Sequence, residues 1–184
     1  MFIILMSHLG RPEGKVNPAY SLDIIQDRLF EYLDVSIGLA PDCMGAKVEK
    51  IVDEMTAGEI VLLENLRFHP GEEANDPEFA RSLALLGDTY VNDAFGVSHR
   101  AHASIAGTPL FIPSFAGLLV EKELRFLGGI MRDPQEPLVL VMGGAKAKEK
   151  LQALASCREK AAHICIGGIL ANTILMAKGI AVGR

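Results

Sequence analysis

Tryptophan is absent from this 184-residue chain, cysteine occurs only three times, and no lysine–arginine block interrupts a net charge of −5. Nucleic-acid surfaces need a basic face with stacking aromatics, so the acidic balance speaks against a nucleic-acid partner. No apolar run approaches the roughly 18 residues that span a bilayer, which leaves a membrane partner without a segment. The opening MFIILM is too short for a signal-peptide core and carries no basic leader, so it is expected to be a strand. Cys43, Cys157 and Cys165 form no C-x-x-C pair. A disulfide framework or cysteine zinc site is therefore not expected, and a reducing, cytoplasmic setting is. Neither H-E-x-x-H nor a Walker A loop occurs, and no internal repeat is visible.

What is present is 49% hydrophobic and 22% charged residues, the balance of a globular chain long enough to bury a core. Short runs rich in Val, Ile and Leu (FIILM, EIVLLEN, DTYVND, PLVLVMG, AHICIGG) read as strands buried on both faces. Between them lie amphipathic stretches. In SLDIIQDRLFEYLD, Leu22, Ile25, Leu29 and Leu33 recur at helical spacing, with Ser21 placed to cap and Asp23 in the first turn. GAKVEKIVDEM and DPEFARSLALLG, the latter ending at Gly87, repeat the pattern, and a longer helix is expected from Phe115 to Asp133. Strand alternating with helix predicts an α/β fold, a three-layer parallel sheet with crossover helices, followed by the first part of a second α/β domain.

Ligands of such sheets sit beyond the carboxyl ends of the strands. Those exits hold His8, His69, His99 and His102, four of the five histidines, together with Arg11, Arg67 and Arg100. Arginine meets phosphate or carboxylate oxygens two at a time, and histidine can donate to the same oxygens. Three such exits would make a cationic mouth on an acidic protein. The competing reading pairs each arginine with a carboxylate such as Glu64, Glu72 or Asp93. A histidine metal site at His99 and His102 is a further reading, although no carboxylate stands at ligand spacing beside them; His163, in a strand-like run, is expected to be structural. GGAKAKEK follows a strand and opens a helix, so its backbone N–H groups could meet a phosphate, with Lys146 and Lys150 on one helix face. A solvated helix start with Glu149 as partner accounts for the same residues. IGGILAN after the next strand repeats the pattern more weakly.

Five stretches in order, LMSHLGRPEGK, LLENLRFHPGEEANDPEFA, YVNDAFGVSHRAHAS, AGLLVEKEL and GGAK followed by a second lysine, closely resemble the phosphoglycerate kinases, with spacing like the bacterial members. The resemblance runs over essentially the whole chain. It implies an amino-terminal domain, residues 1–120, that binds 3-phosphoglycerate or 1,3-bisphosphoglycerate. An interdomain helix and the start of a nucleotide-binding domain, residues 121–184, would follow, and that domain would take ATP or ADP with Mg2+. By motif, His8, Leu9, Gly10, Arg11, Arg67 and Arg100 correspond to substrate contacts, flanked by His99 and His102. Gly143, Gly144, Ala145, Lys146, Lys150, Gly167 and Gly168 fall on the nucleotide side, with Lys150 and Arg100 the catalytic pair. The implied reaction is phosphoryl transfer in glycolysis, by a family usually monomeric. It proceeds by positioning and charge stabilisation rather than by a general base or nucleophile.

Departures from the family are equally visible. The family's first strand, with its acidic and amide substrate contacts and a following arginine, has no counterpart ahead of MFIILM, and most of the nucleotide domain has none after KGIAVGR. Ala147, Lys148 and Glu149 replace the usual valine, small polar residue and aspartate, and Ile169 stands where a third glycine is common. The expectation is a kinase truncated at both ends, with a non-catalytic phosphoglycerate-binding fragment as the alternative. An open apolar edge where the first strand belongs would favour association.

Overall fold

A computed structural model describes residues 1–144 and 147–183, the side chains of residues 147–149 apart. The described chain divides into two compact units, Met1–Glu121 and Lys122–Arg184. In the first, β1 (Ile3–Leu5), α1 (Asp23–Leu33), β2 (Ile37–Leu39), α2 (Ala46–Asp53) and β3 (Ile60–Leu62) build a parallel sheet of order β1-β3-β2. Ile3 and Ile37 both stand opposite Ile60, so β3 occupies the centre.

The twofold alternation of β3 divides the core between two faces. Ile60 and Leu62 turn toward α1, where Leu22 is fully buried and Ile25 and Leu29 pack beside it with Leu5, Leu9, Ile37 and Leu39. Val61 and Leu63 turn the other way, onto Val48 and Val52 of α2 and, past the short α3 (Pro70–Ala74), onto Phe79, Ala80 and Leu83 of α4 (Pro77–Ala84). Helices thus cover both faces, the three-layer α/β arrangement that the strand–helix alternation predicts.

Several local expectations change. Ser21 is not the cap of α1; Leu22 holds that position, and Glu64 from the β3 exit accepts from both Leu22 N (2.8 Å) and Ser21 Oγ (2.7 Å). Leu33, the end of the expected stripe, is exposed. The helix of DPEFARSLALLG stops at Ala84, short of Gly87. Strand β2, three residues with a glycine in the middle, was too short to read as a strand from periodicity.

The largest change concerns Phe115. It lies in a strand, β5 (Ser114–Ala116), which pairs in parallel with β4 (Tyr90–Asn92) to form a second sheet. The ladder is extended by Tyr90 N to Pro113 O (2.9 Å) and Gly117 N to Asn92 O (2.8 Å). Helix α5 (Leu118–Arg132) begins only afterwards, where Asp93 Oδ1 accepts from Leu119 N (2.7 Å) and Val120 N (3.1 Å). Burial of the Tyr90 N–H in a ladder thus decides what helical periodicity alone could not.

In the second unit, β6 (Val139–Met142) and β7 (His163–Ile166) pair in parallel, Val139 opposite His163, with α6 (Ala147–Cys157) and α7 (Gly168–Ala177) following their exits. His163 is exposed within β7. Among the described residues no helix is long and apolar enough to cross a membrane.

Leu63 is fully buried where β3 leaves the sheet for its exit loop. Leu63→Ala is expected to cost about 2–5 kcal/mol, read as a lower urea midpoint at unchanged m value.

Candidate functional site

The exits of β1, β3 and β4 are tied together from the backbone outward. Gly10, just past β1, has φ +64, and a Cβ there would lie 2.5 Å from the Tyr20 ring, so only glycine lets the loop turn at that point. The fully buried Asn65 donates from Nδ2 to the carbonyls of Leu9 and Tyr20, both at 2.8 Å, and its Oδ1 accepts from Arg67 N (3.0 Å). One amide side chain therefore fixes the β1 exit against the single 3-10 turn Leu66–Phe68 that carries Arg67.

Arg67 is 6% exposed. Its Nη1 donates to Gly10 O at 2.8 Å. Its Nε lies 3.4 Å from Glu73 Oε1 without the geometry of a hydrogen bond, and is buried with no partner among the described residues. Arg100, in the β4 exit, likewise buries an unpartnered Nε. Burying a charged donor unpaired is costly unless something else meets it.

His8 reports on the same cluster. Burial lowers its pKa below the ordinary 6.5, and the charges of Arg67, His102 and Arg100 lower it further against an opposing contribution from Glu73. His102 is buried with Nδ1 3.7 Å from Glu72 Oε1. Glu72, 2% exposed, accepts from Ser104 N (2.9 Å) and Ser104 Oγ (2.6 Å), holding the single π turn Ala103–Gly107 in place. Tyr90 closes that corner by donating to Ser104 O (2.7 Å); burial, and then Glu72, push its phenol up to about 12.

Of the expected residues, His8, Gly10, Arg67, Arg100 and His102 are thus brought together. Leu9 takes part through its carbonyl, while its side chain packs with α1. Arg11 and His99 are exposed and make no side-chain hydrogen bond among the described residues. Asn65 and Ser104 were not foreseen, and Glu64 and Glu72, considered as arginine partners, instead accept from Ser21, Leu22 and Ser104. Burial alone distinguishes Glu72 from its exposed neighbour Glu73, and two adjacent glutamates in a sequence do not reveal which one turns inward.

In the second unit the β6 and β7 exits lie side by side, since Gly167 N donates to Met142 O at 2.9 Å. Gly144 has φ +117, and a Cβ on it would run into Lys150 Nζ, so the Lys150 ammonium sits directly over this glycine turn. Gly143, Gly144, Gly167, Gly168 and Lys150 form one local arrangement of backbone and one cation. Ala145 and Lys146 lie outside the described residues.

Comparison with known proteins decides the family. The phosphoglycerate kinase family model matches residues 1–184. The chain belongs to the phosphoglycerate kinase family. Similar relatives include the phosphoglycerate kinases of Chlorobaculum tepidum, 52% identical over 99% of the chain and 46% of that protein, and of Pelotomaculum thermopropionicum, 48% identical over 99% and 46%. The solved phosphoglycerate kinase of Coxiella burnetii superposes with a TM-score of 0.79 at 35% identity, covering 99% of this chain and 46% of that one. That of Pyrococcus horikoshii gives 0.83 at 26% identity, covering 100% and 56%. The chain therefore spans about half the length of the phosphoglycerate kinases it matches.

The charge cluster makes a direct expectation. His8 is expected to titrate below 6.5 by imidazole NMR, and Arg100→Gln to move it back toward 6.5. Because folding depresses this base, its contribution to stability is present above 6.5 and is lost as pH falls through the folded value. A His8 titration at or above 6.5 would contradict the clustering.

Proposed function

We propose that residues 1–120 form a phosphoglycerate-binding site in which Arg67, Arg100, His8 and His102, with Arg11 and His99 at the exposed rim, meet the phosphate and carboxylate of 3-phosphoglycerate or 1,3-bisphosphoglycerate. The observation that carries this reading is the pair of buried guanidinium Nε–H groups, on Arg67 and Arg100, that lack a partner among the described residues. Three side chains that could compete for such a role are engaged elsewhere, Glu64 with α1, Glu72 with Ser104 and Asp93 with α5, while exposed Glu73 stands 3.4 Å from Arg67 Nε without hydrogen-bond geometry. An anion arriving here meets donors that need no further desolvation.

On the same reading, residues 121–184 supply the start of the nucleotide side. Gly143, Gly144, Gly167 and Gly168 would offer backbone N–H groups, and Lys146 and Lys150 their ammonium groups, to the phosphates of ATP or ADP. The reaction is then the family's reversible transfer of a phosphoryl group between 1,3-bisphosphoglycerate and ADP, placed in cytoplasmic glycolysis and carried out by a monomer. Each on its own unit, the two residues the resemblance names catalytic, Arg100 and Lys150, would offer a cation to phosphate oxygens. The Mg2+ of the resemblance does not fit the described residues of the two glycine turns, since Gly143, Gly144, Gly167 and Gly168 bring no carboxylate to hold it. No step is routed through it, and this stretch by itself is expected to bind phosphoglycerate without turning it over.

Calorimetric titration with 3-phosphoglycerate tests the site. Loss of one charge-assisted contact costs roughly 1.5–3 kcal/mol, so Arg100→Ala should weaken binding about ten- to a hundredfold. Equal binding by both chains would remove the site assignment. A coupled assay of ATP formation tests the second half: turnover that survives repurification and disappears in Lys150→Ala would replace the binding-only reading with catalysis by this chain.

A further inference from the structure

Beside the β3 exit, three side chains of different chemistry converge. Asp42 and Cys43 lie within the loop between β2 and α2, and His69 follows the turn that carries Arg67. One donor atom from each, a carboxylate oxygen, the Cys43 sulfur and a ring nitrogen of His69, lie within 4.8 Å of one another. His69 Nε2 is 2.5 Å from Asp42 Oδ1, and the His69 ring is stacked on Phe79 at a centroid distance of 5.2 Å, which fixes the plane of its nitrogen donors. The Cys43 thiol is fully buried and donates to Glu64 O at 2.9 Å.

From this geometry we propose that Asp42, Cys43 and His69 bind a borderline-soft divalent cation of the zinc class. Zinc takes thiolate at about 2.3 Å and imidazole or carboxylate at about 2.0–2.2 Å, so tetrahedral ligands stand about 3.3–3.7 Å apart. Binding there would open the 2.5 Å Asp42–His69 contact and draw together donor atoms that lie within 4.8 Å. On binding, the Cys43 S–H bond breaks, its proton leaves to solvent, the sulfur lone pair forms the metal bond, and the hydrogen bond to Glu64 O is given up. Burial, and then the carboxylates of Asp42, Glu64 and Glu72, push the Cys43 thiol up, so its proton is held until a cation displaces it. Asp42 and His69 are partly exposed and provide the entry, with solvent as the fourth ligand. The sequence hides the site because Cys43 and His69 stand far apart along the chain and match no metal-ligand spacing.

Thiolate and imidazole select zinc, cobalt or cadmium over magnesium and calcium. The test is a Co2+ titration of the chain carrying Cys157→Ser and Cys165→Ser, which leaves Cys43 the sole thiol. A thiolate-to-cobalt charge-transfer band in the near ultraviolet is expected, saturating at one ion per chain, displaced by Zn2+ and indifferent to excess Mg2+. Cys43→Ser should abolish the band. Since Cys43 is a core residue, His69→Gln provides the second arm: circular dichroism unchanged, cobalt affinity lower by about tenfold or more. Absence of the band from the parent chain, or equal cobalt affinity in the His69→Gln chain, would overturn the proposal. The histidines of the phosphoglycerate patch can bind cobalt without producing a sulfur band, so failure here is distinguishable from failure of the anion site.

Discussion

Taking the Arg67 guanidinium out of water constrains everything around it. A buried cation must be met by oxygens, and one that also presents a free N–H must be held still while the rest of its charge is satisfied. The Gly10 carbonyl supplies one oxygen, which demands the left-handed turn at Gly10; Asn65 fixes both the β1 exit and the Arg67 backbone, which demands that Asn65 itself be fully buried. The hydrophobic layers on the two faces of β3 bring these loops to the same edge. Polar groups with no freedom to rearrange then set their final positions.

The acidic residues of the first unit are divided in a way that keeps this cluster cationic. Glu64, Glu72 and Asp93 were each plausible partners for an arginine, yet each faces backbone N–H groups instead: the first turn of α1, the π turn at Ala103, and the start of α5. A carboxylate at a helix start gains from the N–H groups and the positive end of the helix dipole together. Among the described residues the carboxylate that approaches Arg67 is Glu73, and it is exposed. Electrostatic repulsion at His8 is the consequence, and an anion relieves it.

Much of this organisation was legible in the chain. The alternation of Val/Ile/Leu runs with amphipathic stretches gave the parallel α/β layers, and the gathering of His8, Arg67, Arg100 and His102 at strand exits followed from where such sheets bind ligands. Two kinds of information were not. Strands of three residues, β2 and β5, carry too little pattern, and Leu118, Leu119 and Leu124 continue the rhythm of Phe115, so helical periodicity runs back over β5. Long-range capping was equally invisible: that Glu64 would start α1, or Asp93 start α5, depends on contacts across dozens of residues rather than on local spacing. The Asp42–Cys43–His69 convergence belongs to the same class.

The central claim is that the buried Nε–H groups of Arg67 and Arg100 are held ready for one anion. Their two side-chain resonances, assigned by Arg→Lys replacement in nitrogen-15 labelled chain, can be followed directly during titration with 3-phosphoglycerate. The account predicts that both move downfield together along curves sharing one dissociation constant, while the resonance of exposed Arg28, paired with Glu31, stays in place. Movement of neither, or independent curves for the two, would contradict it.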